Sequence, residues 1–203
     1  ASLVIITAIT AFMLDPGRWL VDHDFWSALL NMQSLPQIVS RTGGALMLSS
    51  LYVYLHASFV IKDDALHALI ERRSTRPALL GALMITGGGI AWYIFLPASA
   101  RDAIYTASVL NVLMALLFAA TAIVFVLLFF GPYRNPGWIR SPGFAAALLA
   151  FGVIGFSTGE FIREAVRKPY IVYNVVLGSQ MTVNPVDEVA IARSEGFLQS
   201  GVW

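Results

Sequence analysis

The stretch 107–131, ASVLNVLMALLFAATAIVFVLLFFG, contains no charged residue and forms one continuous apolar run. An α-helix needs about 20 apolar residues to cross the ~30 Å hydrocarbon core of a bilayer, so this run predicts a transmembrane helix. Further hydrophobic segments lie around it, at 1–14, about 36–61, 78–97 and 143–162. The sequence therefore predicts an all-α fold, a polytopic transmembrane helix bundle of about five transmembrane segments.

The composition of the whole chain is that of an integral membrane protein. Hydrophobic residues make up 58% of the sequence and charged residues only 12%, and the mean hydropathy is +0.73. The chain has no cysteine, which excludes disulfides, thiolate metal sites, iron–sulfur clusters and covalent c-type haem within it. It has no phosphate-binding glycine loop and no basic, aromatic-rich patch, so nucleotides and nucleic acid are not expected partners.

The first 35 residues are expected to differ from the later segments. Residues 1–14, at about 1.5 Å each, cover only ~21 Å. They lack the flanking signals of a signal peptide, so we expect the sequence to start inside a transmembrane helix whose upstream residues are missing. The mixture of acids and aromatics between Trp19 and Leu35 predicts an interfacial helix. Pro36 and Pro77 are expected to begin the second and third segments, because proline suits a first helical turn.

The positive charges of the short loops predict an orientation. Most of them lie in 62–77 and 132–142, and the positive-inside rule places both loops in the cytoplasm. We therefore expect a protein of the bacterial inner (cytoplasmic) membrane with its C-terminus on the periplasmic side. Residues 1–172 are expected to form the transmembrane bundle and residues 173–203 a periplasmic extension that docks elsewhere, with a short helix starting at Asn184.

The end of the fifth segment, residues 159–170, carries a row of ionisable side chains. At about 100° per residue, Glu160, Arg163, Glu164 and Arg167 fall within roughly a 100° arc of one helical face. Charges at the end of a membrane helix are costly unless they are paired or used. The row is therefore either an interfacial ion-pair network that anchors the helix or a site for haem, a quinone or protons.

Other polar residues inside the bundle have two interpretations each. Arg41 lies about one turn inside the second segment, where it either snorkels to the interface or contacts an anion within the bundle. His56 lies near the cytoplasmic end of that segment and is a candidate haem ligand, although no second histidine is placed to form a pair with it. His23 is expected at the interface and His67 in a cytoplasmic loop.

Two groups of glycines, Gly43–Gly44 and 87–89, interrupt the second and third segments. Glycine removes a side chain from a helix face and lets a neighbouring backbone approach closely. We expect close helix packing at both places, with room for a flat cofactor as the alternative.

Two stretches resemble a known family. The run Glu164-Ala165-Val166-Arg167-Lys168-Pro169-Tyr170 resembles the Glu-x-Gly-Arg-Gln-Pro-Trp motif of subunit I of cytochrome bd quinol oxidases. It is also similar to bd-like membrane subunits associated with c-type cytochromes, where the pattern reads Arg-Glu-Ala-x-Arg-Lys-Pro-Tyr. Residues 31–42, NMQSLPQIVSRT, resemble the start of the oxidase helix that carries the low-spin b-haem histidine. On this resemblance the chain corresponds to the later half of the subunit.

The resemblance implies a membrane subunit of a respiratory-type electron-transfer complex that helps pass electrons between the quinone pool and c-type haems. The implied cofactors are haem b and a quinone, and the implied partners are the lipid bilayer and other membrane subunits, including a c-type cytochrome. Glu164 and Arg167 match the family's glutamate associated with a high-spin haem and its partner arginine. With Glu160 and Arg163 they would form a polar site for quinol, haem propionate or protons. Glu164 or His56 would be the haem-iron ligand.

The chain departs from the family at the haem and quinol sites. Arg41, or Ser40 with a different gap, stands where the family has its histidine ligand, and Met114 is out of register with its methionine ligand. Residues 97–106 replace the long quinol-binding loop. We therefore expect the low-spin haem to be lost. The chain is expected to act as part of a quinol:cytochrome c type oxidoreductase rather than to reduce oxygen alone.

Two alternatives remain open at the level of sequence. The first is a cofactor-free membrane anchor, or scaffold, for a periplasmic redox module, with the charged row as a structural ion-pair network. The second is a small transporter, which is disfavoured because the third and fourth segments carry no charges and no inverted repeat is visible.

Overall fold

The computed structural model describes residues 2–15, 18–139 and 141–171, and side chains only as far as Val166. Every regular element in this part of the chain is helical, which confirms the predicted all-α fold. In chain order the helices are α1 (Ser2–Leu14), α2 (Trp19–Asp22), α3 (Phe25–Leu29), α4 (Ser34–Val60), α5 (Asp64–Ile94), α6 (Ala98–Thr106), α7 (Ser108–Phe130) and α8 (Pro142–Ile171). The predicted extension at 173–203, with its short helix, lies outside the described residues.

Four helices, α4, α5, α7 and α8, are long and apolar enough to cross a membrane. They correspond to the second to fifth predicted segments, so the membrane bundle is confirmed. Helix α1 is apolar too, but it has only 13 residues, and its crossing of the bilayer stays a prediction. We call the end of the bundle where α4 begins and α8 finishes the cavity end. The opposite end, with the connections 61–63 and 131–141, is the loop end.

Helix α5 begins earlier than predicted. The Asp63 side chain accepts a 2.7 Å hydrogen bond from the backbone N–H of Leu66, which caps the helix at its first turn. The helix then continues through Pro77, so the prediction that this proline begins the third segment is wrong. An interior proline removes one backbone hydrogen bond. The buried contacts of Glu71, Thr75 and Ala78 on either side of it hold the helix together.

The predicted interfacial helix is divided into two short helices, α2 and α3. His23 between them has a φ of 51°, a left-handed conformation that ends α2. The Asp24 side chain then accepts hydrogen bonds from the backbone N–H groups of Trp26 and Ser27 and so begins α3. The prediction of one continuous helix over 19–35 is therefore wrong.

Helices α4 and α5 are antiparallel and pack through glycines. A Cβ atom added to Gly43 would lie 2.6 Å from the carbonyl oxygen of Gly81, and one added to Gly88 would lie 2.7 Å from that of Pro36. Gly44 faces the ring of Phe156 on α8. The predicted close packing is confirmed at these glycines, whereas Cβ atoms on Gly87 and Gly89 would meet nothing within 4 Å.

Two clusters of buried apolar side chains hold the bundle together. The cluster at the loop end includes Leu51, Leu128 and Leu148. The cluster at the cavity end includes Trp92 and Ile162. Because lipid tails are as apolar as these side chains, close van der Waals packing rather than removal from water stabilises such contacts between membrane helices.

Candidate functional site

Four side chains from three helices form a polar network near the cavity end. Arg41 on α4 donates from Nη2 to Oε2 of Glu160 on α8 at 3.2 Å, and from Nη1 to Oγ1 of Thr7 on α1 at 2.8 Å. Arg163 donates from Nη1 to Oε1 of Glu160 at 2.8 Å, and its Nη2 contacts Oε2 of the same carboxylate. We call these four side chains the Glu160 network.

The network is largely shielded from solvent and lipid. The side chains of Arg41 and Arg163 are 14% and 12% exposed, that of Glu160 is 31% exposed, and Thr7 is fully buried. Charges placed so deeply in a membrane bundle require partners of opposite charge. The structure therefore supports an anion contact inside the bundle, rather than snorkelling, as the role of Arg41.

A cavity of about 780 Å³ opens beside this network and is bordered by residues of α4, α5, α6, α7 and α8. Its walls are mainly aliphatic and aromatic. Its polar side chains include Gln37, Ser40, Tyr93, Tyr105, Asn111, Glu160 and Arg163. This volume lies within the range of cavities that bind small molecules. The structure thus places a charged group at the edge of a large apolar space.

Three buried polar side chains near the cavity end have no hydrogen-bond partner among the described residues. In Gln33 and in Gln37 both the Nε2 and the Oε1 atom lack a partner, and in Trp92 the indole N–H does. Gln37 and Trp92 border the cavity, and the sequence pattern gave neither of them a ligand-binding role. The spacing of four residues does place Gln37 on the face of α4 that carries Gln33 and Arg41, but it does not show that this face is buried beside a cavity.

The predicted row on α8 is divided by the structure. Glu160 and Arg163 lie together and border the cavity, as the shared helical face predicted. Glu164 is partly buried and lies outside the set of described residues that border the cavity. The side chain of Arg167 lies outside the described part of the chain, so its pairing with Glu164 stays a prediction.

The histidines lie away from the cavity. His56 is exposed, and its ring stacks on Tyr52 with 6.4 Å between ring centroids. His67 is buried on α5 rather than in a loop as predicted, with its Nδ1 4.0 Å from Oε2 of Glu71. The exposed His23 separates α2 from α3.

The side chains that border the cavity can be compared with those that ligate a metal ion or hydrogen-bond an organic ligand. No histidine is found among the described residues that border it. In residues 2–15, 18–139 and 141–171 there is no group of three or more metal-ligating side chains. The polar groups present at the cavity suit hydrogen bonding to an organic ring better than axial ligation of haem iron.

Comparisons with known proteins add no family. No family model matches the chain, and neither a curated protein nor a solved structure is significantly similar to it. The resemblance to cytochrome bd subunit I therefore stays a prediction from two short motifs. The functional argument rests on the geometry of the cavity and of the Glu160 network.

Proposed function

We propose that this chain is a quinone-binding membrane subunit of an electron-transfer complex, which passes electrons between the quinone pool and c-type haems of partner subunits. The observation that carries the proposal is the 780 Å³ apolar cavity with the carboxylate of Glu160 and the guanidinium of Arg163 at its edge. A quinone has the same two-part character, with a polar ring and an apolar tail.

The chemistry of the site suits both redox forms of such a ligand. The guanidinium of Arg163 can donate a hydrogen bond to a quinone oxygen, and the carboxylate of Glu160 can accept a proton from a quinol hydroxyl. Oxidation of a quinol to a quinone releases two protons and two electrons. One proton would pass to Glu160 and the other to water. The two electrons would leave one at a time, each reducing one ferric haem to the ferrous state in a partner subunit, because this chain has no cysteine to attach c-type haem.

Haem b is the other cofactor that the resemblance implies. Arginines such as Arg41 and Arg163 are suited to haem propionates, since the guanidinium fork matches a carboxylate. The residues that border the cavity offer Met114 but no histidine as an iron ligand within the described chain. We therefore assign the cavity to a quinone rather than to haem b.

A cofactor-free scaffold is the second candidate, and one observation favours it. The Glu160 network links α1, α4 and α8 through three charged side chains and one hydroxyl. A network whose only role is to hold these helices together would have the same contacts. The two candidates differ in whether the cavity holds a ligand that depends on this network.

The experiment is to purify the full chain with its native partners from membranes in mild detergent and to measure extracted quinone per protein. We expect the wild type to retain quinone. The variants Glu160→Gln and Arg163→Gln should each retain at least about tenfold less quinone per protein. A charge-assisted hydrogen bond contributes roughly 1.5–3 kcal/mol, which corresponds to that factor. Arg73→Gln is the matched control, because Arg73 is exposed on α5 and does not border the cavity.

A reduced-minus-oxidised spectrum of the same samples separates the alternatives. A b-type signal that falls in Glu160→Gln and Arg163→Gln, in samples that carry no quinone, would assign the cavity to haem and overturn the quinone proposal. A wild type that assembles with its partners but carries neither quinone nor b-type haem would establish the scaffold.

A further inference from the structure

Gln37 is a buried residue at the edge of the cavity, and its amide lacks a partner among the described residues. The residue is only 2% exposed, and neither Oε1 nor Nε2 has a hydrogen-bond partner among the described residues. The indole N–H of Trp92, in a residue that is 9% exposed, is in the same situation. Both residues border the cavity. A buried polar group without a partner is destabilising, so two such groups at one cavity require an explanation.

Gln37 and Trp92 lie on neighbouring helices, about one turn apart in depth. Gly88 on α5 faces Pro36 and Ser40, which flank Gln37 on α4. Trp92 follows Gly88 by one turn toward the cavity end. Both residues border the cavity, Gln37 from α4 and Trp92 from α5.

The Glu160 network lies one turn deeper along α4. Arg41, which binds Glu160, follows Gln37 by four residues, or about 6 Å along the helix axis at 1.5 Å per residue. Gln37 and the Glu160 network are therefore offset along the bundle axis, and Gln37, Glu160 and Arg163 all border the same cavity. A ligand in this cavity can meet polar groups at two different depths.

We infer that Gln37 and Trp92 form a second hydrogen-bonding point in the cavity, so that its ligand is a ring with two oxygens on opposite sides. The inference rests on the proposed quinone-binding function and names the ligand class, a 1,4-quinone and its quinol. One oxygen lies at the pair Glu160–Arg163 and the other at Nε2 of Gln37. A side-chain amide offers a donor and an acceptor, so Gln37 can bind the carbonyl of the quinone and the hydroxyl of the quinol.

Gln33 provides an internal control for this assignment. It lies one turn before Gln37 on the same face of α4, is fully buried, and also lacks a hydrogen-bond partner among the described residues. It is not among the residues that border the cavity. Replacing it therefore tests the effect of removing a buried amide from this helix without removing a ligand contact.

The test compares two probes in titrations of the full-length protein. One probe is a 1,4-naphthoquinone with a short alkyl chain, and the other is a 1-tetralone with the same chain, which lacks the second oxygen. We expect the wild type to bind the naphthoquinone about tenfold more tightly than the tetralone, the factor expected for one buried hydrogen bond. In Gln37→Leu the affinity for the naphthoquinone should fall about tenfold, while that for the tetralone stays within about twofold. In Gln33→Leu neither affinity should change.

The outcomes separate this inference from the proposed function. A wild type that binds neither probe contradicts the quinone-binding function and this inference with it. A wild type that binds both probes equally, or a Gln37→Leu protein that loses affinity for both equally, overturns the second hydrogen-bonding point alone. Gln37→Met, whose unbranched side chain is close in shape to glutamine, repeats the measurement if the leucine variant does not fold.

Discussion

Two carboxylates in the described bundle, Glu71 near the loop end and Glu160 near the cavity end, have partners that differ in kind. At the loop end, Glu71 is 1% exposed and accepts hydrogen bonds from the backbone N–H groups of Gly137 at 2.7 Å and Ile139 at 3.1 Å. Toward the cavity end, Glu160 is held by the side chains of Arg41 and Arg163. One carboxylate is bound by the backbone of a connecting loop and the other by mobile side-chain groups.

This difference separates a structural role from a ligand-binding role. The backbone donors of the 131–141 connection cannot leave Glu71 unless the loop itself moves. The guanidiniums around Glu160 can turn about their side-chain bonds and exchange partners with a bound molecule. The carboxylate of Glu71 lies against protein, whereas that of Glu160 lies beside the cavity. We therefore interpret Glu71 as an anchor for the connection between α7 and α8, and Glu160 as a ligand-binding group.

The largest expected effect on stability is at Glu71. Glu71→Ala removes the acceptor of the buried N–H of Ile139 and of the partly buried N–H of Gly137. A buried N–H without an acceptor costs roughly 1–3 kcal/mol and one within reach of water costs less, so we expect the free energy of unfolding to fall by about 2–5 kcal/mol. Titration with sodium dodecyl sulfate in mixed micelles measures this loss. Glu160→Ala should destabilise the protein less while abolishing quinone retention, which is the reverse pattern.

The exposed Asp102 on α6 supplies the control for that comparison, because Asp102→Ala removes a carboxylate without opening a buried site. Glu71→Gln keeps one acceptor oxygen, so its free energy of unfolding should lie between those of Glu71→Ala and the wild type. If Glu71→Ala unfolded no more readily than Asp102→Ala, the anchor interpretation would be wrong. If Glu160→Ala were as unstable as Glu71→Ala yet retained quinone, the interpretation of Glu160 as a ligand-binding group would be wrong.

The contact between α4 and α5 joins the two ends, and its glycines give the next largest effect. Gly43→Ala would bring a Cβ within 2.6 Å of the Gly81 carbonyl oxygen, which is backbone and cannot simply turn away. Overpacking of this kind costs roughly 1–3 kcal/mol in the free energy of unfolding. Gly87→Ala is the matched control on the facing helix, since its Cβ would meet nothing within 4 Å. Alanine should there be neutral or stabilising, by up to ~1 kcal/mol. Equal effects at both glycines would argue against the close approach of α4 and α5.

The pairing of Arg41 with Glu160 predicts a measurable coupling energy. A double-mutant cycle with Arg41→Ala and Glu160→Ala should give about 1–2 kcal/mol in the free energy of unfolding, because the pair is partly shielded. The exposed pair Arg18–Asp22, 4.0 Å apart, is the control and should couple by less than about 0.5 kcal/mol. A cycle that gave no more coupling than the exposed pair would show that the network does not hold α4 to α8.

The sequence predicted those parts of the site that depend on local spacing. Apolar length predicted the four long helices, and the helical period placed Glu160 and Arg163 on one face, where the structure has them. It did not predict which residue Arg41 would meet, since its partner Glu160 is 119 positions away along the chain. Contacts at that separation follow from how α4 packs on α8, which no local pattern encodes.

The error at Pro77 has the same origin. Pro77 was expected to begin a helix, but buried contacts on both sides carry α5 through it, so tertiary packing overrides a local signal. For Gln37 the helical period gives only the face that it shares with Arg41. Its burial and the adjacent cavity depend on how the helices pack.

The smallest predicted effect tests how far the anchor at the loop end extends. The hydroxyl of Tyr54 on α4 donates to Oγ1 of Thr75 at 2.7 Å, and Thr75 donates to the backbone carbonyl of Glu71 at 2.7 Å. Tyr54→Phe removes the first of these hydrogen bonds and should cost about 1 kcal/mol in the free energy of unfolding. Tyr52→Phe is the control on the same helix. Because the Tyr52 side chain is exposed, this substitution should leave the free energy of unfolding nearly unchanged. If both variants unfolded alike, α4 would contribute to the loop end through apolar packing alone, and the anchor would be confined to Glu71 and the loop it binds.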